Sequence, residues 1–206
     1  FLQFAGLRLT SSTKSAILTQ MMIVTVPIIA YWLLKERLTR RRAIAIAMSL
    51  CGAIILSTNL DFQGFQNGSS FLGALLTVAA VFFWAIFIVI TRKYAPLIEC
   101  FWMLWANYLA TALLAALAST VTGETTIDSQ GLWLCLFLAV FCTLLPTMLY
   151  NYSLKVVDAT SSAILGPLET ISAVFLSYFL LGENLTWIGM GGAALILSSA
   201  YLVEKD

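Results

Sequence analysis

In this chain of 206 residues, 61% are hydrophobic and only 10% charged, where an ordinary soluble domain carries about a quarter charged. The charges fall between long uncharged runs, which excludes a soluble globular domain. A net charge of +1 gives no electrostatic reason to expect a nucleic-acid partner, and with no histidine the commonest metal ligand and general base is missing.

In chain order, Phe1–Leu7 reads as the end of a helix whose beginning is missing, with no cleavable signal. Seven runs then follow, here called spans A to G: Ser15–Leu34, Ala43–Leu60, Phe71–Thr91, Cys100–Gly123, Ser129–Leu154, Ala159–Gly182 and Asn184–Val203. Each is long enough as a helix to cross the ~30 Å hydrocarbon layer at about 1.5 Å per residue. Span A carries Gln20 and Pro27. Span B alternates Ala43, Ala45 and Ala47, and span G holds Gly189, Gly191 and Gly192. Such small residues let helices approach closely in lipid and point to a scaffold contact or a homodimer face. Span C holds Trp84 at depth, a candidate pocket wall together with Tyr150 of span E. Trp32, Trp102, Trp105, Trp133 and Trp187 lie near span ends, where an interfacial aromatic belt is the default.

In span E, Thr143, Thr147 and Asn151 recur at helical spacing and share one stripe, with Pro146 among them. Span F contains the one charge inside any run, Glu169, two residues after Pro167. A charge at mid-membrane is costly and by default functional, so Glu169 is the first candidate to hold a cationic or amine-bearing substrate, a proton, or each in turn. Pro167 leaves the carbonyl of Ala163 without its helical partner, as Pro27 and Pro146 do for Ile23 and Cys142. Freed carbonyls at that depth are tolerated where they line a cavity. The seven residues expected on a substrate or proton pathway are therefore Glu169, Pro167, Asn151, Gln20, Trp84, Tyr150 and Thr147. Core packing or helix-to-helix bonding is the competing role for each.

The four cysteines (Cys51, Cys100, Cys135, Cys142) show no metal or redox spacing. No run contains a paired carboxylate or a Gly-rich phosphate cradle. The chain is read as no enzyme, with no cofactor and no metal. No Lys or Arg lies inside a run, which argues against phosphorylated cargo. Asn67-Gly68-Ser69 matches a glycosylation acceptor, though a polar turn is the preferred reading.

Loop charges set the topology. Nine of the eleven Lys and Arg residues fall in the A–B, C–D and E–F loops and the tail, and only Arg8 and Lys14 fall on the other side. The positive-inside rule then places the C-terminus in the cytoplasm, in the plasma (inner) membrane. Residues 7–56 also recur, displaced by 147, at 154–203: Ser15-Ala16-Ile17-Leu18 falls on Ser162-Ala163-Ile164-Leu165, and Leu38-Thr39 on Leu185-Thr186. Span A thus matches span F five crossings later, and an odd number means that the copies run in opposite directions. Inverted repeats of this kind are a recurring plan of secondary transporters.

The stretch Ala74–Arg92, with Tyr152-Ser153-Leu154-Lys155, residues 159–169 and the turns 33–39 and 180–186, resembles the EamA family of the drug/metabolite transporter superfamily. The resemblance covers essentially the whole chain. It implies an all-α polytopic membrane protein of inverted five-helix repeats, with seven complete transmembrane helices and an N-terminal stub here. Residues 1–60 would be the C-terminal part of the first repeat (stub of helix three, helices four and five), and 71–206 the second repeat (helices six to ten). Where the family often reads Leu-Glu-Pro, this chain has Leu168-Glu169-Thr170, so the bend is expected half a turn earlier. The function implied is secondary transport, as an exporter of small organic metabolites, amino acids or drug-like compounds by alternating access, with proton coupling one option. The partners are then a small molecule and the lipid bilayer. The alternative is a non-transporting membrane scaffold or sensor of the same fold.

Overall fold

The structure is a computed structural model and describes residues 2–10, 12–58, 71–122, 129–181 and 186–204; Asn67-Gly68-Ser69 lies outside the described residues. Its regular elements among those residues are all helices: α1 (Leu2–Leu9), α2 (Ser12–Gln20), α3 (Met22–Leu33), α4 (Arg40–Thr58), α5 (Phe71–Tyr94), α6 (Cys100–Thr122), α7 (Ser129–Phe137), α8 (Leu145–Ser153), α9 (Ala159–Leu165), α10 (Leu168–Leu176) and α11 (Trp187–Glu204). Segments of π-helix follow α7 (Leu138–Leu144) and α10 (Ser177–Leu181). Among the described residues six helical segments are long and apolar enough to cross a membrane, and α6 adds an apolar stretch over Phe101–Leu117. Their outer faces carry large apolar side chains such as Trp133, 73% exposed, and Leu180, 76% exposed. Water would penalise such a surface and lipid does not.

Two spans are interrupted. Span A divides at Met21 into α2 and α3, and span F divides at Gly166-Pro167 into α9 and α10. Pro27, by contrast, sits inside α3 without ending it. The helix starts follow side-chain chemistry that the repeat preserves. Thr39 Oγ1 accepts from Arg42 N at 3.2 Å at the head of α4, and Thr186 Oγ1 accepts from Gly189 N at 3.0 Å at the head of α11. These four residues are repeat mates.

Two compact units result, residues 1–90 with 158–206, and residues 91–157. They do not coincide with the two halves of the sequence repeat, because the repeat copies pack on each other within the first unit. There α4 packs most extensively on its mate α11, and α3 of span A packs on α9 of span F. Gly52 and Gly192 let the α4 and α11 backbones approach. A Cβ on Gly192 would lie 2.8 Å from the carbonyl oxygen of Gly52, and one on Gly52 would lie 2.7 Å from that of Gly192. Lipid supplies no hydrophobic drive for this pairing, so close van der Waals packing holds it. Ile23, Ala53, Leu56 and Ile196 form the adjoining core. Ala45 is buried too, while Ala43, Ala47 and Gly191 face outward. In the second unit α6 packs on α8. Arg92 Nη1 donates to the Leu154 carbonyl just past the end of α8, the usual place for a cation at a helix C-terminus.

Candidate functional site: an acidic cavity between two helix breaks

Both breaks in the first unit tighten to three-residue turns. Met21 N donates to Leu18 O at 3.1 Å, and Glu169 N donates to Gly166 O at 3.0 Å. Around them opens a cavity of about 580 Å³, lined by Phe4, Thr19, Met22, Thr77, Phe83, Trp84 and Glu169 among others. A cavity of that size holds a drug-sized molecule. Glu169 is the only charged residue lining it among the described residues. Thr19 and Met22 stand at the span A break, Glu169 at the span F break, and Thr77 and Trp84 on α5. In the repeat register Met22 is the mate of Glu169, so equivalent positions face one cavity with different chemistry.

The polar atoms here are largely committed to their own helices. Thr19 Oγ1 donates to Ser15 O at 2.9 Å, and Thr77 Oγ1 donates to Gly73 O at 2.9 Å. This leaves the Glu169 carboxylate and the Gln3 amide as the groups able to fix a ligand, and only the first is charged. Trp84 is in ring contact with Phe87, centroids 5.6 Å apart, and its face is suited to a cation or an aromatic ring. α1 closes the cavity at Gly6, where a Cβ would meet Thr77 Oγ1 at 2.5 Å.

Of the seven expected pathway residues, the structure brings Glu169 and Trp84 to this cavity. Pro167 is buried beside it at the break. Gln20 ends α2 and is not among the lining residues; its neighbours Thr19 and Met22 take that place. Thr147, Tyr150 and Asn151 belong to the second unit. Thr147 Oγ1 donates to Thr143 O at 2.6 Å, where Tyr108 OH also donates at 3.1 Å. The carbonyl of Thr143, inside the π-segment that precedes Pro146, is thus doubly satisfied. Asn151 is buried, 2% exposed, and its Oδ1 has no hydrogen-bond partner.

Four participants were not singled out from the sequence. Thr77 shares a helical face with Val81 and Trp84, a spacing that would have found it. Phe83 and Met22 looked like ordinary core. Ser49 Oγ donates to Ile164 O at 2.9 Å and anchors the span F bend from α4; its repeat mate is Ile196, so the repeat gave no hint.

An all-helical polytopic chain with membrane-length apolar helices and an acidic cavity defines a membrane-transporter class of protein. The chain belongs to the EamA-like transporter family, whose profile matches residues 1–58 and 71–204. It is 27% identical over 208 residues to "Uncharacterized transporter YetK" of Bacillus subtilis (strain 168), covering 96% of this chain and 61% of that protein. It is 27% identical over 205 residues to an "Uncharacterized transporter" of Archaeoglobus fulgidus, covering 98% of this chain and 63% of that protein. A protein of Salmonella typhimurium named "Probable amino-acid metabolite efflux pump" is 27% identical over 181 residues, with 81% of this chain and 58% of that protein covered. One solved crystal structure matches the fold with a TM-score of 0.80 at 19% identity, covering 99% of this chain and 72% of its own. The chain thus spans 61% and 63% of the length of the first two relatives.

Proposed function

We propose that the protein is a secondary transporter that exports small organic molecules carrying a positive charge or an amine next to an apolar body. The observation that carries this reading is the cavity itself: one carboxylate, Glu169, faces Trp84, Phe83 and Phe4, with no basic residue lining it among the described residues. An ammonium group would pair with the carboxylate while its apolar part lies on the rings. An amino acid or drug-like amine satisfies both demands, and the Salmonella relative's printed name is in keeping with the first. Glu169 also serves as the exchange point for a proton, taking it up when substrate leaves and giving it up when substrate returns.

Alternating access follows from two halves, 1–60 and 71–206, that run in opposite directions and exchange conformations about the cavity. The packing of α4 on its repeat mate α11 is what an axis passing between equivalent helices requires. The loop charges place the C-terminus in the cytoplasm, with the protein in the inner membrane. Asn151, Tyr150 and Thr147 are assigned to the substrate path from span E. Outward-facing Gly191 leaves α11 an open surface for a second copy, and cross-linking at that position tests the homodimer.

The deciding experiment is transport in proteoliposomes with an imposed pH gradient, screened across amines, amino acids and neutral analogues. Glu169→Gln keeps the shape and removes the charge. Uptake of a cationic substrate should fall about 100-fold, the scale of losing one desolvated ionic partner. Unchanged uptake with an unchanged response to pH would remove Glu169 from the mechanism.

A further inference from the structure

Below the cavity two helices of the first unit close against each other. From Glu169 toward the start of α9 the chain runs about ten residues, or roughly 15 Å of helix. Over that depth α3 packs on α9, with Val26, Ala30, Ala159 and Ala163 all at 0–1% exposure. At the far end of this barrier lies a cluster of charges that transport chemistry does not use. Glu36, in the α3–α4 turn, takes the head of α9 in both carboxylate oxygens. Oε1 accepts from Ala159 N at 3.0 Å, and Oε2 accepts from Thr160 N at 3.1 Å and from Thr160 Oγ1 at 2.6 Å. Asp158 caps the same helix, its Oδ1 accepting from Ser161 N at 2.6 Å, while its Oδ2 pairs with Arg42 Nη2 at 2.8 Å.

Two carboxylates at one helix N-terminus complement its dipole and its unsatisfied N–H groups. Arg42 then offsets their mutual repulsion. Arg42 and Asp158 side chains are 16% and 26% exposed, so the pair is partly shielded and stronger than an open surface pair. The bonds join residues more than 110 positions apart and belong to different repeat copies.

The repeat shows that the other end is built differently. In the sequence Glu36 recurs as Glu183 and Thr160 as Thr13, but Arg42 is matched by Gly189 and Asp158 by Ser11. The carboxylate and its threonine are kept in the sequence, whereas Gly189 and Ser11 carry no charges to repeat the ion pair. We propose that Glu36, Arg42 and Asp158 form a latch that holds the cavity closed on the face carrying the α3–α4 turn, and that this latch opens each time the cavity is exposed there. The unequal ends bias the resting protein toward opening on the opposite face. The latch rests on the transporter reading for its purpose, but its test reads accessibility and needs no substrate.

The test uses the protein in proteoliposomes with Cys51, Cys100, Cys135 and Cys142 replaced by Ser. Ala163→Cys reports on the barrier and Met22→Cys on the cavity, each labelled by a membrane-impermeant maleimide from one face at a time. From the α3–α4 face, Glu36→Gln and Arg42→Gln should each speed Ala163→Cys labelling about tenfold, the ratio expected from losing a charge-assisted bond. From the opposite face the same variants should slow Met22→Cys labelling, because opening one side closes the other. Arg42→Lys should bring both rates back to within about threefold of the parent.

Unchanged rates in both Gln variants overturn the latch. So does faster labelling from both faces, since that is local unfolding around a structural staple. Should Glu36→Gln fail to fold, Thr160→Ala removes one bond and leaves the backbone caps; its expected increase is about threefold, and no increase counts against the latch. Glu169→Gln should leave the barrier labelling unaltered, so failure of the transport reading and failure of the latch give different patterns.

Discussion

Spans A and F are copies of one another, yet they break by different means at the same place. In span F the break falls at Gly166-Pro167, where the proline lacks an N–H for the helical ladder. In span A the mate of Pro167 is Gln20, and the helix still ends there, at Gln20, and restarts at Met22. Span A does own a proline, Pro27, but α3 runs straight through it. The break is therefore a property of depth in the fold, and proline is one way of accommodating it. What both breaks share is position against the cavity, with Met22 on one side and Glu169 on the other.

The most demanding way to sharpen this comparison is to exchange the two mates. Glu169→Met alone should lower transport of a cationic substrate about 100-fold, as for loss of any desolvated ionic partner. Adding Met22→Glu returns one carboxylate to the same cavity from the equivalent position. We expect the double variant to recover at least about a tenth of the parent rate, measured as initial uptake in proteoliposomes. Recovery no better than Glu169→Met alone would show that the two breaks are not equivalent in function, whatever their likeness in sequence.

A second experiment asks where span A tolerates a proline. Gln20→Pro copies the span F arrangement into a helix that already stops there. Ala30→Pro places the same ring in the middle of α3, at a residue with 0% exposure. An interior proline costs about 3 kcal/mol or more, and Gln20→Pro should cost a small fraction of that. Thermal unfolding in detergent separates them: Ala30→Pro should lose most of the folded protein while Gln20→Pro stays near the parent. Equal losses would mean that the span A break depends on Gln20 itself.

The same comparison explains how much could be read from residues alone. Helices, their approximate ends and the family were legible because membrane length and the 147-residue repeat are properties of contiguous sequence. Glu169 stood out because a lone charge in an apolar run is expensive wherever the run folds. Trp84 was legible by depth. Gln20 ends α2 between the lining residues Thr19 and Met22, since the repeat identifies the break but not which side chain turns toward the cavity. Glu36 and Asp158 lie over 120 residues apart, and only tertiary structure joins the first to the helix that the second caps. Ser49 was silent for a similar reason: a serine in a small-residue helix declares its partner, the Ile164 carbonyl, only when that partner arrives.

The smallest effect concerns the turn that presents Glu36. Lys35 adopts a left-handed backbone, with φ of 56°, a conformation that costs a residue with a Cβ about 1 kcal/mol. Its repeat mate is Gly182, the residue that bears this conformation most easily. The first copy therefore holds strain where the second copy's sequence is relieved of it, and that strain sits next to the latch carboxylate. Lys35→Gly removes the steric penalty but adds freedom to the unfolded chain, so the two effects partly cancel. A net gain of a few tenths of a kcal/mol is expected, seen as a rise of a degree or so in the unfolding midpoint. A fall of similar size would mean that the turn is stabilised by the lysine side chain, and that Lys35 and Gly182 answer to different local demands.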